Sequence, residues 1–410
     1  MTPMQPSAPF AEALAVWWRI GLLSFGGPAA QIALLHRIVV DEKRWLDEAR
    51  FLHALNYCML LPGPEAQQLA TYVGWLLHGV RGGLAAGVLF ILPGAAAIMA
   101  LSWLYVLLGD LEPVMGLFLG LKAAVLAIVV QALLRIGSRA LDGAFGVTLA
   151  AAAFLALFAF GLPFPLVVIG AGVIGYLRGA RSAAANVAAP AEQVTVRPHT
   201  GLAAVICLLL WVGTVAGLYL FAGADSVFTQ IARFFSEMAV VTFGGAYAVL
   251  AFVAQQGVEH YAWLQPGEML DGLGLAETTP GPLILVTQFV GFLGALRFAD
   301  AEVALLAASL GALLTTWVTF LPCFLWIFAG APYVERLRGH RRLAAALAAI
   351  TAAVVGVIAN LALWFALNSL FGQHTRLVGY GLDLLLPHPG SVDVAMLALS
   401  LLALLLVFAL

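Results

Sequence analysis

Four short motifs rich in glycine and proline interrupt apolar segments of the sequence, and their backbone is suited to binding an anion. They are Phe25-Gly26-Gly27, Pro62-Gly63-Pro64, Phe243-Gly244-Gly245 and Pro280-Gly281-Pro282. A half-helix is predicted to begin after each motif, and the unpaired N–H groups of a helix N-terminus carry about half a positive charge. Glycine lets a ligand approach the backbone, and proline fits the first helical turn. The alternative is that these residues only bend helices for packing.

Charged residues inside apolar segments are further candidates, because each costs about 2.5–3.5 kcal/mol on insertion scales. Lys122 lies deep in the apolar run 114–134, and we expect its amine to contact the anion directly. Snorkelling of the amine to the interface is the alternative. Arg19 and Glu237 each precede a Phe-Gly-Gly motif by six residues, so they could pair with each other or contact substrate. Arg233, four residues before Glu237 on one helix face, would extend that network.

Three carboxylates are candidates for carrying a coupling proton: Glu65, Glu237 and Glu277. Glu65 directly follows the first Pro-Gly-Pro motif, and Glu277 lies three residues before the second. A carboxylate beside a poorly solvated anion site repels the anion unless the carboxylate is protonated. The alternative for Glu65 and Glu277 is helix capping, since an acidic residue in the first turn of a helix is ordinarily stabilising.

The composition places all of these residues in a membrane protein. Of the 410 residues, 63% are apolar and 10% are charged, whereas a soluble domain carries about 45–50% apolar and about 25% charged residues. Apolar runs predict membrane spans at 83–108, 114–134, 145–160, 163–177, 201–222, 303–330, 344–370 and 391–410. The four motifs interrupt the segments 10–38, 50–78, 227–256 and 268–296, which we interpret as broken or re-entrant helix hairpins. The predicted class is an all-α polytopic membrane protein.

The order of the motifs indicates an internal duplication. Both Phe-Gly-Gly and both Pro-Gly-Pro motifs are 218 positions apart, and Leu92-Pro93 recurs 229 positions later as Leu321-Pro322. One such match could be coincidence in a sequence rich in Ala and Leu, but the ordered set is not. We therefore predict an N-terminal repeat at 1–177, a linker and connecting helix at 178–225, and a C-terminal repeat at 226–410.

The distribution of Lys and Arg predicts that the two repeats have opposite orientations. The loop 38–50 carries Lys43, Arg44 and Arg50, whereas its repeat partner 257–267 has neither Lys nor Arg. Conversely, 109–113 has none, and its partner 333–343 holds four Arg. Because positive loops stay in the cytoplasm, 38–50, 178–200 and 333–343 are predicted to be cytoplasmic. The repeat is then inverted, as in many secondary transporters.

Other chemistry finds little support in the sequence. The GxGxxG pattern at 170–175 lies inside an apolar span, where small residues favour helix contact over dinucleotide binding. The histidines lack HxxxH spacing and the three cysteines lie far apart, so no metal or cofactor is expected. A net charge of −2 argues against a nucleic-acid partner. There is no Walker loop, which excludes ATP-driven transport by this chain alone. A membrane-embedded enzyme and a lipid scramblase stay as alternatives of another class.

The motifs in their context resemble the chromate ion transporter family in its long-chain, fused two-domain form. In the first half the similar stretches are SFGGPAAQIALLHR, WLDEARFL and LLPGPEAQQLATYVGW, and in the second half TFGGAYAVL and WLQPGEMLDGLGLAETTPGPLILVTQFVGFLG. The resemblance implies a multi-pass protein of the bacterial inner membrane that exports chromate, is coupled to the proton gradient and confers chromate resistance. A sulfate or other oxyanion carrier is the alternative, because these dianions share charge and shape. Ala246 stands where the family pattern often has a third glycine.

Chromate is a tetrahedral dianion, and its expected site lies where the half-helices converge within the bilayer. A homodimer is compatible with this architecture. The predicted substrate-binding residues are Lys122, Arg19, Phe25, Gly26, Gly27, Pro62, Gly63, Pro64, Gln67, Phe243, Gly244, Gly245, Pro280, Gly281 and Pro282.

The predicted inversion can be tested by labelling single cysteines in a cysteine-free background. With Lys43→Cys and His260→Cys as the two reporters, a membrane-impermeant thiol reagent added from outside should label position 260 and leave position 43 unlabelled. Labelling at 43 without labelling at 260 would contradict the inverted repeat.

Overall fold

A computed structural model describes residues 8–109, 111–181, 199–243, 246–265, 267–299, 302–331, 341–379 and 382–409. Most of the predicted cytoplasmic loops 178–200 and 333–343 lies outside the described residues, as do Gly244 and Gly245 of the third motif.

The first part of the chain is helical, with short breaks at the two predicted motifs. Its helices are α1 (Phe10–Leu23), α2 (Gly27–His36), α3 (Glu48–Cys58), α4 (Glu65–Leu108), α5 (Glu112–Ala140), α6 (Gly143–Phe158) and α7 (Phe164–Arg181). Helix α2 continues into a π-helical turn at Arg37–Glu42.

The second part follows the same pattern and adds a β-hairpin. Its helices are α8 (Thr200–Ala222), α9 (Val227–Val241), α10 (Ala246–Gln255), α11 (Glu268–Thr278), α12 (Val286–Phe298), α13 (Ala304–Gly330), α14 (Arg341–Leu370) and α15 (Val394–Ala409). A 3₁₀ turn at Leu283–Leu285 leads into α12. Strands β1 (His374–Gly379) and β2 (Leu382–Pro387) pair in antiparallel fashion.

The predicted all-α polytopic class is confirmed. Among the described helices, five are long and apolar enough to cross a membrane: α4, α5, α8, α13 and α14. The predicted spans at 145–160, 163–177 and 391–410 form the shorter apolar helices α6, α7 and α15. Helix α8 exposes most of its apolar side chains, including Leu220 and Phe221, which is the surface a bilayer would cover.

Local backbone geometry recurs at the spacing of the sequence repeat. Helix α10 continues into a π-helical turn at Gln256–His260, as α2 does at Arg37–Glu42. Arg44 and Ala262, which are 218 positions apart, both have a φ of 53°, although non-glycine residues rarely adopt positive φ. The recurrence supports the predicted duplication. Its inverted orientation stays a prediction.

The chain forms two compact units, and each contains segments from both parts of the sequence. The first unit consists of Met1–Leu104, Ala188–Ala246 and Leu275–Gly339. Within it, α13 packs against α8, α9 and α12. The contact between α12 and α13 depends on small residues, because a Cβ at Gly291 would overlap the Thr315 side chain.

The second unit consists of Tyr105–Val187, Tyr247–Gly274 and His340–Leu410. Helix α14 packs against α5, α6 and α7, and α15 packs against α5. Gly356 allows α14 to touch the backbone of α6, because a Cβ there would overlap the Ala150 carbonyl.

The β-hairpin of the second unit lies between the predicted spans 344–370 and 391–410, where no strands were predicted. Two hydrogen bonds from Arg376 to Asp383, each 2.6 Å long, link its strands. These bonds hold the pKa of Asp383 below its ordinary value, because they stabilise the charged carboxylate.

Helix α4 is a helical hairpin, because its backbone reverses at His78 and Gly79. Gly79 has φ 63° and ψ −151°, a conformation that L side chains rarely adopt. Beyond the turn the two arms touch, since a Cβ at Gly74 would overlap the carbonyl of Gly82. In a straight helix these residues would lie about 12 Å apart. The turn separates the predicted segments 50–78 and 83–108.

Gly79 provides a test of this reversal. Replacing it with alanine forces a side chain into the left-handed conformation, which costs about 1–3 kcal/mol, so Gly79→Ala should lower the melting temperature of the purified protein. Gly116→Ala is the matched control, because a Cβ at Gly116 in α5 meets open space and alanine favours a helix. Equal melting temperatures for the two variants would contradict the reversal at Gly79.

Candidate functional site

The four predicted motifs all form breaks between helices, and the described parts of all four belong to the first unit. Gly26 and Gly27 have φ angles of 82° and 77° and lead into α2. Gly63 and Gly281 have φ angles of 120° and 99°, and the prolines that follow them lead into α4 and the 3₁₀ turn before α12. Glycine is required at these breaks because the backbone enters the left-handed region.

Each Pro-Gly-Pro motif is hydrogen-bonded to the Phe-Gly-Gly break of the other half of the chain. The Gly63 N–H donates to the Thr242 carbonyl at 2.8 Å, and the Gly281 N–H donates to the Ser24 carbonyl at 2.9 Å. Both donors and both acceptors are 218 positions apart, so the two bonds are equivalent in the predicted repeat. They join the four motifs into two contacts of the same kind.

The contact between Ser24 and Gly281 is reinforced by a buried glutamine of α2. The Gln31 amide donates to the Gly281 carbonyl at 2.7 Å and to the Ser24 carbonyl at 3.3 Å. A Cβ at Gly94 of α4 would overlap the Pro280 carbonyl. The second Pro-Gly-Pro motif is therefore enclosed by α2 and α4.

The first Pro-Gly-Pro motif is enclosed in a similar way. The Gln68 amide donates to the Pro62 carbonyl at 2.7 Å. A Cβ at Gly63 would lie 2.8 Å from the Gln68 amide nitrogen and 2.9 Å from the Cys323 sulfur. Cys323 in α13 is 229 positions after Gly94, so the two motifs are enclosed by matching positions of the predicted repeat.

A polar bridge fastens α12 beside these motifs. The Gln288 amide donates to the Ala95 carbonyl of α4 at 2.8 Å, and its oxygen accepts from the Thr316 hydroxyl of α13 at 2.9 Å. Gln288 is fully buried, and the two bonds satisfy both ends of its amide. The start of α12 is thereby held between α4 and α13.

The first turn of α4 contains buried oxygens that the structure leaves unpaired. Within the described residues, nothing donates a hydrogen bond to Glu65 Oε2, Gln67 Oε1 or Gln68 Oε1, and Thr319 Oγ1 of α13 is also unpartnered. An unpaired buried oxygen costs about 1–3 kcal/mol. A proton or a bound hydrogen-bond donor would therefore be stabilised here. The Gln68 N–H donates to the Pro64 carbonyl at 3.1 Å, so the backbone N–H groups that the helix itself leaves without a partner are those before Gln68.

The predicted ion pair between Arg19 and Glu237 is replaced by two separate pairs. Arg19 contacts Glu42 at 3.0 Å, with half of its side chain exposed. Glu237 contacts Arg233 at 2.8 Å across one turn of α9, as the spacing of four residues favours. Glu277 lies half-buried near the end of α11. The roles of Arg19, Glu237 and Glu277 in transport stay predictions.

Lys122 belongs to the second unit, where it pairs with a carboxylate that the sequence analysis missed. Its amine lies 3.3 Å from Asp271 Oδ2 of α11. The Tyr105 hydroxyl donates to the same oxygen at 3.0 Å. Asp271 stands in the predicted broken segment 268–296. An acidic residue within such a segment is the sequence feature by which it could have been identified.

Three other predicted site residues are the motif residues Phe25 and Phe243, and Gln67, which follows the first Pro-Gly-Pro motif. Phe25 is exposed and Phe243 is half-buried. Gln67 is fully buried, and its amide donates to Thr71 Oγ1 at 3.0 Å. Within the part of the chain that the structure describes, no three His, Cys, Asp or Glu residues lie close enough to hold a metal ion.

Comparison with known proteins identifies the family. The family model described as "Chromate transporter" matches residues 11–176 and 229–410. The "Chromate transport protein" of Pseudomonas aeruginosa is 33% identical over 86% of this chain and 80% of its own length.

Two more distant relatives carry similar names. The "Probable chromate transport protein" of Synechococcus elongatus is 27% identical over 96% of both chains, and the "Chromate transport protein" of Cupriavidus metallidurans is 27% identical over 91% of this chain and 86% of its own. No solved structure matches the chain. With both matched stretches covering most of its length, this chain belongs to the chromate transporter family and is a multi-pass membrane transport protein rather than an enzyme.

Proposed function

We propose that this protein exports chromate across the bacterial inner membrane, that export is coupled to the proton gradient, and that it confers chromate resistance. Family membership and the names of three relatives support chromate as the substrate. The reciprocal hydrogen bonds between the four motifs carry the proposal for the site, since they bring broken helices together in one unit.

The first turn of α4 is our proposed contact for the oxyanion. The N–H of Gly63 is already bonded to Thr242, so the N–H groups left for a ligand are those after Pro64, at the start of the helix. Their partial positive charge attracts a dianion. Because the charge is partial and fixed in the backbone, the site can release the ion again. Gly26, Gly27 and the second Pro-Gly-Pro motif would contribute by the same principle.

The membrane potential favours movement of this substrate outward. Each charge moved across the membrane is worth about 2.3 kcal/mol per 100 mV, so a dianion leaving a cell that is negative inside gains about 4.6 kcal/mol per 100 mV. The carrier must still return to its inward-facing state. Protonation of a carboxylate at the site would let the pH on each side control that step.

Glu65 is our proposed coupling carboxylate because it stands in the same first turn of α4. Its shielded Oε2 has no hydrogen-bond partner within the described residues, so a proton would be accommodated there. The ionised carboxylate and a bound dianion repel each other strongly where solvent is scarce. Anion occupancy and protonation of Glu65 are therefore linked.

The two Pro-Gly-Pro glycines provide the test of the site. Gly63→Ala and Gly281→Ala place a Cβ in a left-handed conformation, and at Gly63 also against Gln68 and Cys323. Each should abolish chromate resistance in cells and chromate uptake by inverted membrane vesicles, while the protein still reaches the membrane.

Gly217→Ala is the matched control for this pair, because a Cβ at Gly217 in α8 meets open space. It should transport normally. Normal export by a well-expressed Gly63→Ala or Gly281→Ala variant would remove these motifs from the site. Adding sulfate in excess to the same vesicles distinguishes a chromate carrier from a general oxyanion carrier.

Coupling through Glu65 predicts a selective defect in Glu65→Gln. Glutamine resembles the protonated acid, so chromate exchange between the two sides of a vesicle should continue, whereas acceleration by an imposed pH gradient should be lost. Glu112→Gln is the control, because Glu112 is an exposed glutamate in the first turn of α5. If Glu65→Gln responds to the gradient as the unmodified protein does, Glu65 only starts the helix.

A further inference from the structure

The second unit contains a buried carboxylate whose chemistry the proposed anion site does not use. Asp271 lies on α11 with only 4% of its side chain exposed. One of its oxygens, Oδ2, contacts Lys122 at 3.3 Å and accepts from Tyr105 at 3.0 Å. The other oxygen, Oδ1, is buried and has no partner within the described residues.

The face of α11 that carries Asp271 is built to bring this carboxylate close to α5. Gly267 immediately precedes α11, and its carbonyl accepts from the Asp271 N–H at 3.3 Å. Asp271 and Gly274 follow at intervals of four and three residues, so the three residues share one side of the helix. A Cβ at Gly267 would lie 3.0 Å from the Lys122 amine, and a Cβ at Gly274 would overlap the Leu121 side chain. The two glycines allow an approach at which Asp271 and Lys122 meet directly.

Tyr105 lies near the end of α4, in the same unit as Asp271, and its ring packs against α5. The ring packs edge-on against Phe118 at 5.0 Å between centroids, and Phe118 lies one helical turn before Lys122. The hydroxyl is thereby aimed at Asp271. Among the residues that the structure describes, the charged and titratable groups facing Asp271 are Lys122 from α5, Tyr105 from the end of α4 and Glu268 from its own helix.

We propose that Asp271 is a proton-binding site of this transporter, with Lys122 as its counter-ion and Tyr105 as a positioning residue. This inference rests on the proposed proton coupling and adds a second carboxylate to Glu65. A hydronium ion transfers a proton to Oδ1 of the ionised carboxylate. The carboxylate becomes a neutral acid, and one water molecule is released. The net charge of the pair changes from zero to plus one. Lys122, with 26% of its side chain exposed, connects the buried acid to the surface of the unit.

Protonation has a mechanical consequence for α11. The attraction between Asp271 and Lys122 holds α11 against α5, and it is lost when the carboxylate is neutral. Along the chain, α11 leads into Pro280, nine residues after Asp271. Proton binding therefore loosens the helix that precedes the second Pro-Gly-Pro motif. This role assigns Lys122 to proton exchange rather than to direct contact with chromate.

The test uses the full chain reconstituted in proteoliposomes and compares Asp271→Asn with the unmodified protein. We expect chromate exchange to persist at equal pH, and the acceleration by a pH gradient to be lost completely. Infrared difference spectra between acid and alkaline pH should show a protonated carboxyl band that is missing in Asp271→Asn. Glu112→Gln is the control, because it removes an exposed carboxylate of the same unit that lies outside the contacts of Asp271, and it should keep both signals.

Further variants separate proton binding from a purely structural ion pair. Asp271→Asn leaves Lys122 unpaired and could fail to fold, so Asp271→Asn combined with Lys122→Met restores charge balance and should fold yet lack the gradient response. Tyr105→Phe should keep the response but shift its pH dependence, because one hydrogen bond to the ionised carboxylate is removed. A gradient response like that of the unmodified protein in a folded Asp271→Asn or double variant would overturn the proposal.

The infrared measurement also separates this inference from the proposed coupling as a whole. If the unmodified protein shows no gradient response, the proposed proton coupling fails. The carboxyl band then tests proton binding by Asp271 independently of coupling. A band that is present in the unmodified protein and lost in Asp271→Asn supports proton binding. Absence of the band from the unmodified protein overturns it.

Discussion

The constraint on which the first unit depends is that broken helices inside an apolar medium must still pair their backbone polar groups. Every unsatisfied N–H or C=O in hydrocarbon costs several kcal/mol. The chain meets this constraint reciprocally, with Gly63 bonded to Thr242 and Gly281 bonded to Ser24. Each break supplies what the break in the other half lacks, so neither half of the sequence could form these contacts alone.

This pairing also decides which groups are left for a substrate. Since Gly63 and Gly281 donate to the opposite breaks, the proposed site leaves the first-turn N–H groups of the helices that follow for a ligand. In α4 that turn also carries buried side-chain oxygens on Glu65, Gln67 and Gln68 that have no partner among the described residues. The first turn of α4 thus contains both N–H groups that can donate to an anion and side-chain oxygens that can accept a proton or a hydrogen bond. A transporter that must bind and then release a dianion needs such a balance, because a site with only positive charge would retain the ion.

The second unit shows how small residues and charge act together. Gly267 and Gly274 remove the side chains that would separate α11 from α5, and the space is occupied by the contact between Asp271 and Lys122. A buried ion pair stabilises less than its Coulomb energy suggests, because both groups lose hydration. Its more useful property is that its strength depends on protonation, which a contact between apolar side chains cannot reproduce.

The sequence by itself determined the membrane class, the position of each helix break and most helix bounds, because apolar runs, proline and glycine act locally. The ordered recurrence of Phe-Gly-Gly and Pro-Gly-Pro also predicted that the breaks come in matched sets. Only the tertiary structure decided the partners. Lys122 and Asp271 are 149 positions apart, and nothing local to either residue indicates the other. Arg19 and Glu237 occupy matching positions of the predicted repeat, yet Arg19 pairs with Glu42 and Glu237 pairs with Arg233. Periodicity fixes which side of a helix a residue occupies, whereas the packing of helices distant in sequence fixes what that side meets.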